Sequence, residues 1–143
     1  MGKAPLGRPA WSILCACGLF TLAGCGGLKL VPVSGKVTVD GKPPTGAAVS
    51  FVPDASKGNN ARVSCMGRIS PDGRYELTTN GVTKSETGKG APLGWYKVTL
   101  VTTLPGSPEI TVNPKYLDAD QTPLSVEVVA DPKEDAYDLK LTK

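Results

Sequence analysis

Apolar and polar residues alternate one by one in seven short segments of this chain, and glycine or proline stands between most of them. VSGKVTV at 33–39 and GWYKVTLV at 94–101 are the clearest examples. Successive side chains of a β-strand point to opposite faces, so this period of two is typical of strands with one buried face. The chain of 143 residues suits one domain and contains 17 glycines and 13 prolines. We therefore predict an all-β fold, an antiparallel β-sandwich whose strand order stays open.

The apolar members of each alternation form the predicted core. The buried faces of the seven strands are expected to consist of Val33, Gly35, Val37, Val39, Ala47, Val49, Phe51, Val63, Cys65, Gly67, Ile69, Tyr75, Leu77, Tyr96, Val98, Leu100, Leu124, Val126, Val128, Tyr137, Leu139 and Leu141. The pattern predicts the face on which each side chain lies and leaves its neighbours open.

Three connections between these segments carry predictions of their own. SPDG at 70–73 has proline and glycine where a tight turn favours them, so the flanking strands at 62–69 and 74–78 are expected to form a hairpin. Residues 79–93 have no periodicity and are predicted to be a loop. The connection 102–123 is long for a loop, and NPKYL at 113–117 predicts a helical turn, capped by its asparagine, whose tyrosine and leucine pack down.

The first 24 residues have the charge order of a targeting segment. Lys3 and Arg8 precede an uncharged, mostly apolar run at 10–23. This run is shorter than the roughly 20 residues that a membrane-spanning helix needs, and it has the size of the apolar core of a secretory signal. A short buried helix of the fold is the alternative. We predict a signal peptide at 1–24, which processing removes.

The sequence LAGC at 22–25 resembles the lipobox of bacterial lipoproteins. The resemblance implies that a diacylglyceryl group is attached to the sulfur of Cys25 and that a signal peptidase cuts between Gly24 and Cys25. It also implies an extracytoplasmic protein, lipid-anchored to a bacterial membrane, with a tether at 25–30 and a domain at 31–143. Ordinary secretion with a free Cys25 thiol is the alternative.

Processing changes the cysteine count. Cys15 and Cys17 leave with the signal peptide and Cys25 becomes a thioether, so Cys65 is the remaining thiol of the predicted mature chain. An intramolecular disulfide is therefore excluded. Cys65 shares its predicted strand face with Val63 and Ile69, which favours a buried structural cysteine over a reactive one.

Four longer stretches resemble, in their order along the chain, carboxypeptidase-regulatory-like domains of the transthyretin type. They are VSGKVTVDGKPPTGAAVSFVPD, SPDGRYELTT, APLGWYKVTLV and NPKYLDADQTPLSVEVV, the last resembling the tail of small bacterial lipoproteins that carry this domain. The resemblance covers nearly all of the predicted mature chain and implies a seven-stranded Greek-key β-sandwich. It implies no activity, because a fold of this kind hosts many roles.

Histidine is absent from the sequence, which removes the commonest general base and the commonest metal ligand. Hydrolases similar to transthyretin and iron dioxygenases with a similar sandwich depend on histidine, so the resemblance carries no active site over to this chain. Asp72, Asp118 and Asp120 supply too few closely spaced oxygens for a calcium loop, and we interpret them as solvated loop residues. We predict no enzyme activity, no catalytic residue, no metal site and no cofactor.

The charge balance argues against a polyanionic partner. Removal of the signal peptide leaves fourteen Lys and Arg against thirteen Asp and Glu, so no nucleic acid is expected to bind. We predict a non-catalytic binding or structural module of the cell envelope, held to the membrane by its lipid and bound to an unidentified envelope protein or polysaccharide. An accessory subunit that docks on a secreted or envelope enzyme is the alternative. Trp95 lies on the outer face of its strand, where it either anchors a partner or packs under 102–123.

Overall fold

The structure is a computed structural model that describes residue 2, residues 28–83 and residues 86–143. Within that part the chain forms eleven β-strands and two short 3-10 helices, with no α-helix. The strands are β1 (Leu30–Val31), β2 (Ser34–Val39), β3 (Ala48–Pro53), β4 (Ser64–Arg68), β5 (Arg74–Glu76), β6 (Thr78–Thr83), β7 (Glu86–Lys89), β8 (Ala91–Pro92), β9 (Gly94–Val101), β10 (Ser125–Val128) and β11 (Leu139–Leu141). The 3-10 helices span Ala55–Lys57 and Pro114–Leu117. The all-β prediction is confirmed, and each of the seven predicted segments contains a strand.

These strands form three sheets. The largest has the order β10-β9-β3-β4-β6-β7, the second has the order β11-β2-β5, and β1 pairs with β8 in a two-stranded ribbon. Among the described residues, neighbouring strands pair in the antiparallel direction except β2 and β11. These two strands run parallel, with Val37 beside Leu139. The prediction of an entirely antiparallel fold is therefore wrong at this pair.

Strand β9 defines two ends of the domain, and these explain the parallel pair. Its first residue, Gly94, pairs with Val128 at the end of β10, and its last residue, Val101, pairs with Ala48 at the start of β3. The connection 40–47 between β2 and β3 therefore lies at the Val101 end, and β2 runs toward it. β11 follows β10 from the Gly94 end and runs the same way, which makes it parallel to β2.

The two larger sheets share one hydrophobic core. Phe51 of β3 has its ring centroid 6.3 Å from that of Tyr75 in β5 and 5.8 Å from that of Tyr96 in β9, so aromatic contacts join both sheets. Burial confirms most of the predicted inner faces, whereas Gly35, Val63, Leu124 and Val126 are only partly buried. The buried cluster consists of Val31, Val33, Val37, Val39, Ala47, Val49, Phe51, Cys65, Ile69, Tyr75, Leu77, Ala91, Tyr96, Val98, Leu100, Val112, Tyr116, Val128, Tyr137, Leu139 and Leu141. Removal of this apolar surface from water, at roughly 25 cal/mol per Å², is the main stabilising contribution.

The turn at 70–73 forms, but it does not close the hairpin that the sequence predicts. Gly73 has a φ of 87°, and its N–H donates to the carbonyl of Ser70 at 2.8 Å. β4 pairs with β3 and β6 in the large sheet, whereas β5 pairs with β2 in the three-stranded sheet. The hairpin prediction is wrong because alternation indicates which face of a strand is buried, and not which strand lies beside it.

Residues 79–93, predicted to be a loop, contribute most of β6 and all of β7 and β8. β6 continues the large sheet beyond β4, with the fully buried Thr79 beside Cys65. The hydroxyl of Thr79 donates to the carbonyl of Gly90 at 2.6 Å, and the N–H of Gly90 donates to the carbonyl of Leu77 at 2.7 Å. Polar and small residues make these contacts, so the segment pairs as strands without the apolar alternation that would predict one.

The long connection 102–123 contains the helical turn that the sequence predicts. Asn113 caps the 3-10 helix Pro114–Leu117, because its side-chain oxygen accepts a hydrogen bond from the N–H of Lys115 at 3.2 Å. Tyr116 is buried in the core, as predicted. Leu117 remains 45% exposed, so the prediction that it packs down is wrong.

Candidate functional site

Trp95 stands at the Gly94 end of β9, where the connection 54–60 holds its backbone. The carbonyl oxygen of Trp95 accepts hydrogen bonds from the N–H of Asp54 at 3.0 Å and from the side-chain amide of Asn59 at 2.8 Å. Gly94 has a φ of 135°, and a Cβ at this residue would lie 3.1 Å from Nδ2 of Asn59. Glycine therefore allows the connection to approach the strand closely.

The half-buried ring of Trp95 is covered by a lysine. Nζ of Lys57 lies 3.9 Å from the ring centroid and donates to Oγ of Ser125 at 2.7 Å, so this side chain spans from 54–60 across the ring to β10. The contact is a cation–π interaction. The sequence left open whether the ring is exposed or lies under 102–123; in the structure Trp95 is half-buried and Lys57 lies over its ring. We call Trp95, Lys57 and Ser125 the Trp95 corner.

Asp54 organises the segment that carries Lys57. Its Oδ1 accepts hydrogen bonds from the hydroxyl of Ser56 at 2.5 Å and from the N–H of Ser56 at 3.1 Å, which caps the 3-10 helix Ala55–Lys57. The hydroxyl bond is the main reason that the pKa of Asp54 lies below its ordinary value, because it stabilises the carboxylate; burial opposes the shift, and Lys97 and Lys57 assist it. The charged carboxylate of Asp54 therefore stabilises this turn.

Cys65 is a fully buried thiol, which confirms the burial predicted from the sequence. Its Sγ lies 3.2 Å from Oγ1 of Thr79. Because that hydroxyl gives its single proton to the carbonyl of Gly90, the thiol is the donor in this contact. Burial raises the pKa of Cys65. A protonated and enclosed thiol is a poor nucleophile, so the environment supports a structural role.

Two of the three aspartates considered for calcium, Asp118 and Asp72, bind to their own turns. Oδ1 of Asp118 accepts from the N–H of Asp120 at 2.7 Å, and Oδ2 accepts from the side-chain amide of Gln121 at 3.3 Å. Asp72 accepts from the N–H of Arg74 at 3.2 Å and pairs with its guanidinium at 3.4 Å. Among the described residues, no three Cys, Asp or Glu side chains come close enough together to hold a metal ion.

A second surface feature, a cleft of about 370 Å³ on the three-stranded sheet, escapes the sequence analysis. It is lined by Ser34, Gly35, Lys36, Arg74, Tyr75, Glu76, Asp135 and Asp138. The hydroxyl of Tyr75 donates to the carbonyl of Tyr137 at 2.6 Å, and burial raises the pKa of Tyr75 well above its usual value. The one sequence signal is Gly35, because glycine inside a strand often marks a close backbone approach. We call this feature the Tyr75 cleft.

The predicted site residues do not converge on one place. Trp95 lies on the outer face of the large sheet, Cys65 lies in the core, and Asp118 caps a turn in the long connection. Gly24 and Cys25, the predicted cleavage and lipidation residues, lie outside the described residues. The described part also contains no helix that is long and apolar enough to cross a membrane.

Comparison with known proteins identifies no relative: no family model, no curated protein and no solved structure matches the chain. The resemblances to the lipobox and to carboxypeptidase-regulatory-like domains therefore depend on short motifs of this sequence alone. The lipid anchor and the fold family that these motifs imply are accordingly proposals.

Proposed function

We propose that this protein is a lipoprotein of the bacterial envelope, anchored through a lipid on Cys25, whose domain acts outside the cytoplasm as a non-catalytic binding or structural module. The observation that carries the proposal is LAGC at 22–25, at the end of the apolar run 10–23. The described fold supports it, because strand pairing begins at Leu30, five residues after Cys25. A tether of this length holds a folded module close to its anchor.

The non-catalytic part of the proposal is supported by the hydrogen bonds of the groups that could perform chemistry. The groups bound in this way are Cys65, Asp54, Asp72, Asp118, Tyr75 and Tyr96. Tyr96 illustrates the consequence: its hydroxyl donates to the carbonyl of Pro92 at 2.9 Å, and burial raises its pKa to about 12. A general acid or base needs a pKa near the working pH and access to substrate, and these groups have structural partners instead.

We also propose that the domain is a Greek-key sandwich of the transthyretin type. The seven predicted strands occur in the expected order, and the two larger sheets share one core, which supports the proposal. The parallel pair of β2 and β11 departs from the expected antiparallel pattern.

The anchor is tested by expressing the full chain in a bacterium and comparing wild type with Cys25→Ser. We expect the wild type to partition into detergent and its mature amino-terminal peptide to carry the mass of a diacylglyceryl group on Cys25. The Cys25→Ser variant is expected to remain uncleaved or to become soluble. Cys65→Ser is the matched control, because it removes a thiol from the core and leaves LAGC at 22–25 unchanged. Aqueous partition of a wild type without lipid contradicts the proposal.

The Trp95 corner is our candidate contact for the partner, an envelope protein or polysaccharide. Trp95 offers an apolar ring with a polar edge, and Lys57 and Ser125 offer hydrogen-bonding groups beside it. The test is capture of partners by the anchored protein in its native envelope, with wild type and Trp95→Ala compared at equal folded amounts. Weaker capture by the variant supports the contact, and unchanged capture removes it. Recovery of an envelope enzyme would favour the accessory-subunit alternative.

A further inference from the structure

We propose that the Gly94 end of the domain lies against the lipid surface, with the exposed side chains of Leu28 and Leu93 in contact with it. The inference rests on the proposed lipidation of Cys25 and goes beyond it, because an anchor alone does not decide which side of a domain faces the membrane. We propose that these apolar side chains contact the bilayer in which the anchor is inserted.

The short tether limits how far Leu28 can lie from the lipidated residue. Three peptide units separate Cys25 from Leu28. A fully extended chain spans at most about 3.6 Å per residue, so Leu28 lies within about 11 Å of the lipidated residue. A lipid on Cys25 therefore brings Leu28 to the depth of the headgroups or just above them.

The pairing of β1 with β8 holds the tether at one end of the domain. Leu30 pairs with Pro92 and Val31 pairs with Ala91 in an antiparallel register. Counting back along this register brings Lys29 level with Leu93, immediately before β9 begins. Val31 and Ala91 are buried in the core, so the ribbon is part of the folded body. The tether consequently reaches the body at the Gly94 end.

Most of the exposed large apolar side chains lie toward the same end of the domain. Four large apolar residues of the described part are exposed, and they are Leu28 (41%), Val52 (36%), Leu93 (47%) and Leu117 (45%). Leu28 and Leu93 flank the β1–β8 ribbon, and Val52 is the next-to-last residue of β3, which ends beside the start of β9. Three of the four thus lie toward the end that the tether reaches, where insertion into the interface removes apolar surface from water.

The Trp95 corner lies near the same end, on the outer face of the large sheet, so a partner that binds it contacts the domain beside the membrane and not through it. The charge of this end does not favour a membrane contact by itself. Asp131, Glu134 and Asp135 follow β10 at this end, and their negative charges offset the positive charges of the lysines there.

The experiment measures which end of the lipidated full-length protein is near lipid. Single cysteines replace Leu93 or, as the matched control at the Val101 end, Lys42, which is exposed in the connection between β2 and β3. A thiol-reactive fluorophore labels them selectively, because the lipid occupies Cys25 and Cys65 is buried. The protein is placed in phosphatidylethanolamine and phosphatidylglycerol vesicles that contain a lipid with a nitroxide on its headgroup. Leu28→Cys is the second reporter, in case Leu93→Cys does not fold.

We expect several-fold stronger quenching at positions 93 and 28 than at position 42. Equal quenching at both ends, or stronger quenching at 42, overturns the inference while leaving the anchor intact. Shielding of position 93 from aqueous iodide without quenching by the nitroxide lipid also overturns it, because a second copy or a protein then covers the leucines. Absence of lipid on Cys25 in the mass spectrum of the same sample is the distinct result that overturns both proposals.

Discussion

The Trp95 corner and the Tyr75 cleft each cover an aromatic residue, half-buried at Trp95 and buried at Tyr75, and they do so by different means. At the corner, a flexible lysine from a neighbouring connection covers the ring of Trp95 and ends on Ser125. At the cleft, the main chain approaches the ring: the hydroxyl of Tyr75 bonds to the carbonyl of Tyr137, and that carbonyl lies directly beside Gly35. A side-chain cover can adjust to a substitution, whereas a main-chain approach cannot, so the cleft is expected to be the less tolerant region.

Gly35→Ala is expected to have the largest effect. The added methyl group meets the carbonyl oxygen of Tyr137 and comes within 3.0 Å of the ring of Tyr75, and backbone atoms cannot rotate away as a side chain can. Overpacking of this kind lowers the free energy of unfolding by about 3 kcal/mol. Denaturant titration measures the loss, with Ser34→Ala on the exposed face of the same strand as the control. A loss equal to that of the control would show that the main chain yields and would break the comparison.

Trp95→Ala comes next, because the ring is half-buried and contacts Lys57. We expect a loss of about 2 kcal/mol in the free energy of unfolding, roughly half of the usual cost for a core aromatic residue. Lys57→Met keeps an apolar cover and removes the ammonium, and its loss should stay below about 1 kcal/mol. Thermal and denaturant unfolding of both variants test whether the ring of Trp95 contributes more to stability than the charge of Lys57. The comparison fails if removing the lysine charge costs as much as removing the ring.

Tyr75→Phe isolates the hydrogen bond at the cleft from its packing. The variant keeps the ring and leaves the carbonyl of Tyr137 without its donor, so we expect a loss of about 1.5 kcal/mol in the free energy of unfolding. Tyr116→Phe is the matched control with little expected effect, because its hydroxyl lies 3.5 Å from that of Thr142. If both tyrosines respond alike, the buried bond is not what distinguishes the cleft.

The pH dependence of Asp54 is expected to be the smallest effect. Its hydrogen bonds with Ser56 lower its pKa in the folded state below 3.8, so its contribution to stability is present above 3.8 and is lost as the pH falls through the lowered value. Unfolding of wild type and Asp54→Asn is compared from neutral pH to well below 3.8. The advantage of the wild type should shrink with acid, since asparagine also caps but does not titrate. An advantage that stays constant across this range would mean that the carboxylate charge does not hold the turn.

Much of the fold could be predicted because a strand pattern is local. Alternation at 33–39 and 94–101 correctly predicts the buried apolar side chains of β2 and β9, since neighbouring residues of a strand must point to opposite faces. It does not predict that Thr99 of β9 is buried as well. The cap at Asn113 is equally local, because the side chain and the N–H that it binds are two residues apart. The buried position of Cys65 follows from the face that it shares with Ile69.

The candidate site could be predicted only in part. Trp95 is identifiable as an outward aromatic residue, but Lys57, which covers it, comes from a segment 38 residues earlier and has no pattern that marks it. The Tyr75 cleft brings together Gly35 with Asp135 and Asp138, about one hundred residues later in the chain. Nothing local to either segment indicates this approach.

The sequence by itself determined the class of fold, the inward and outward side chains, and the chemistry that the chain can offer, which includes no imidazole. Each of these depends on residue identity or on spacing within one short segment. Only the tertiary structure decided that β5 joins β2 and not β4, that β11 runs parallel to β2, and that residues 79–93 add strands to the large sheet. The physical reason is that strand partners are selected by backbone hydrogen bonds and shared burial between distant segments, and several pairings satisfy the same alternation.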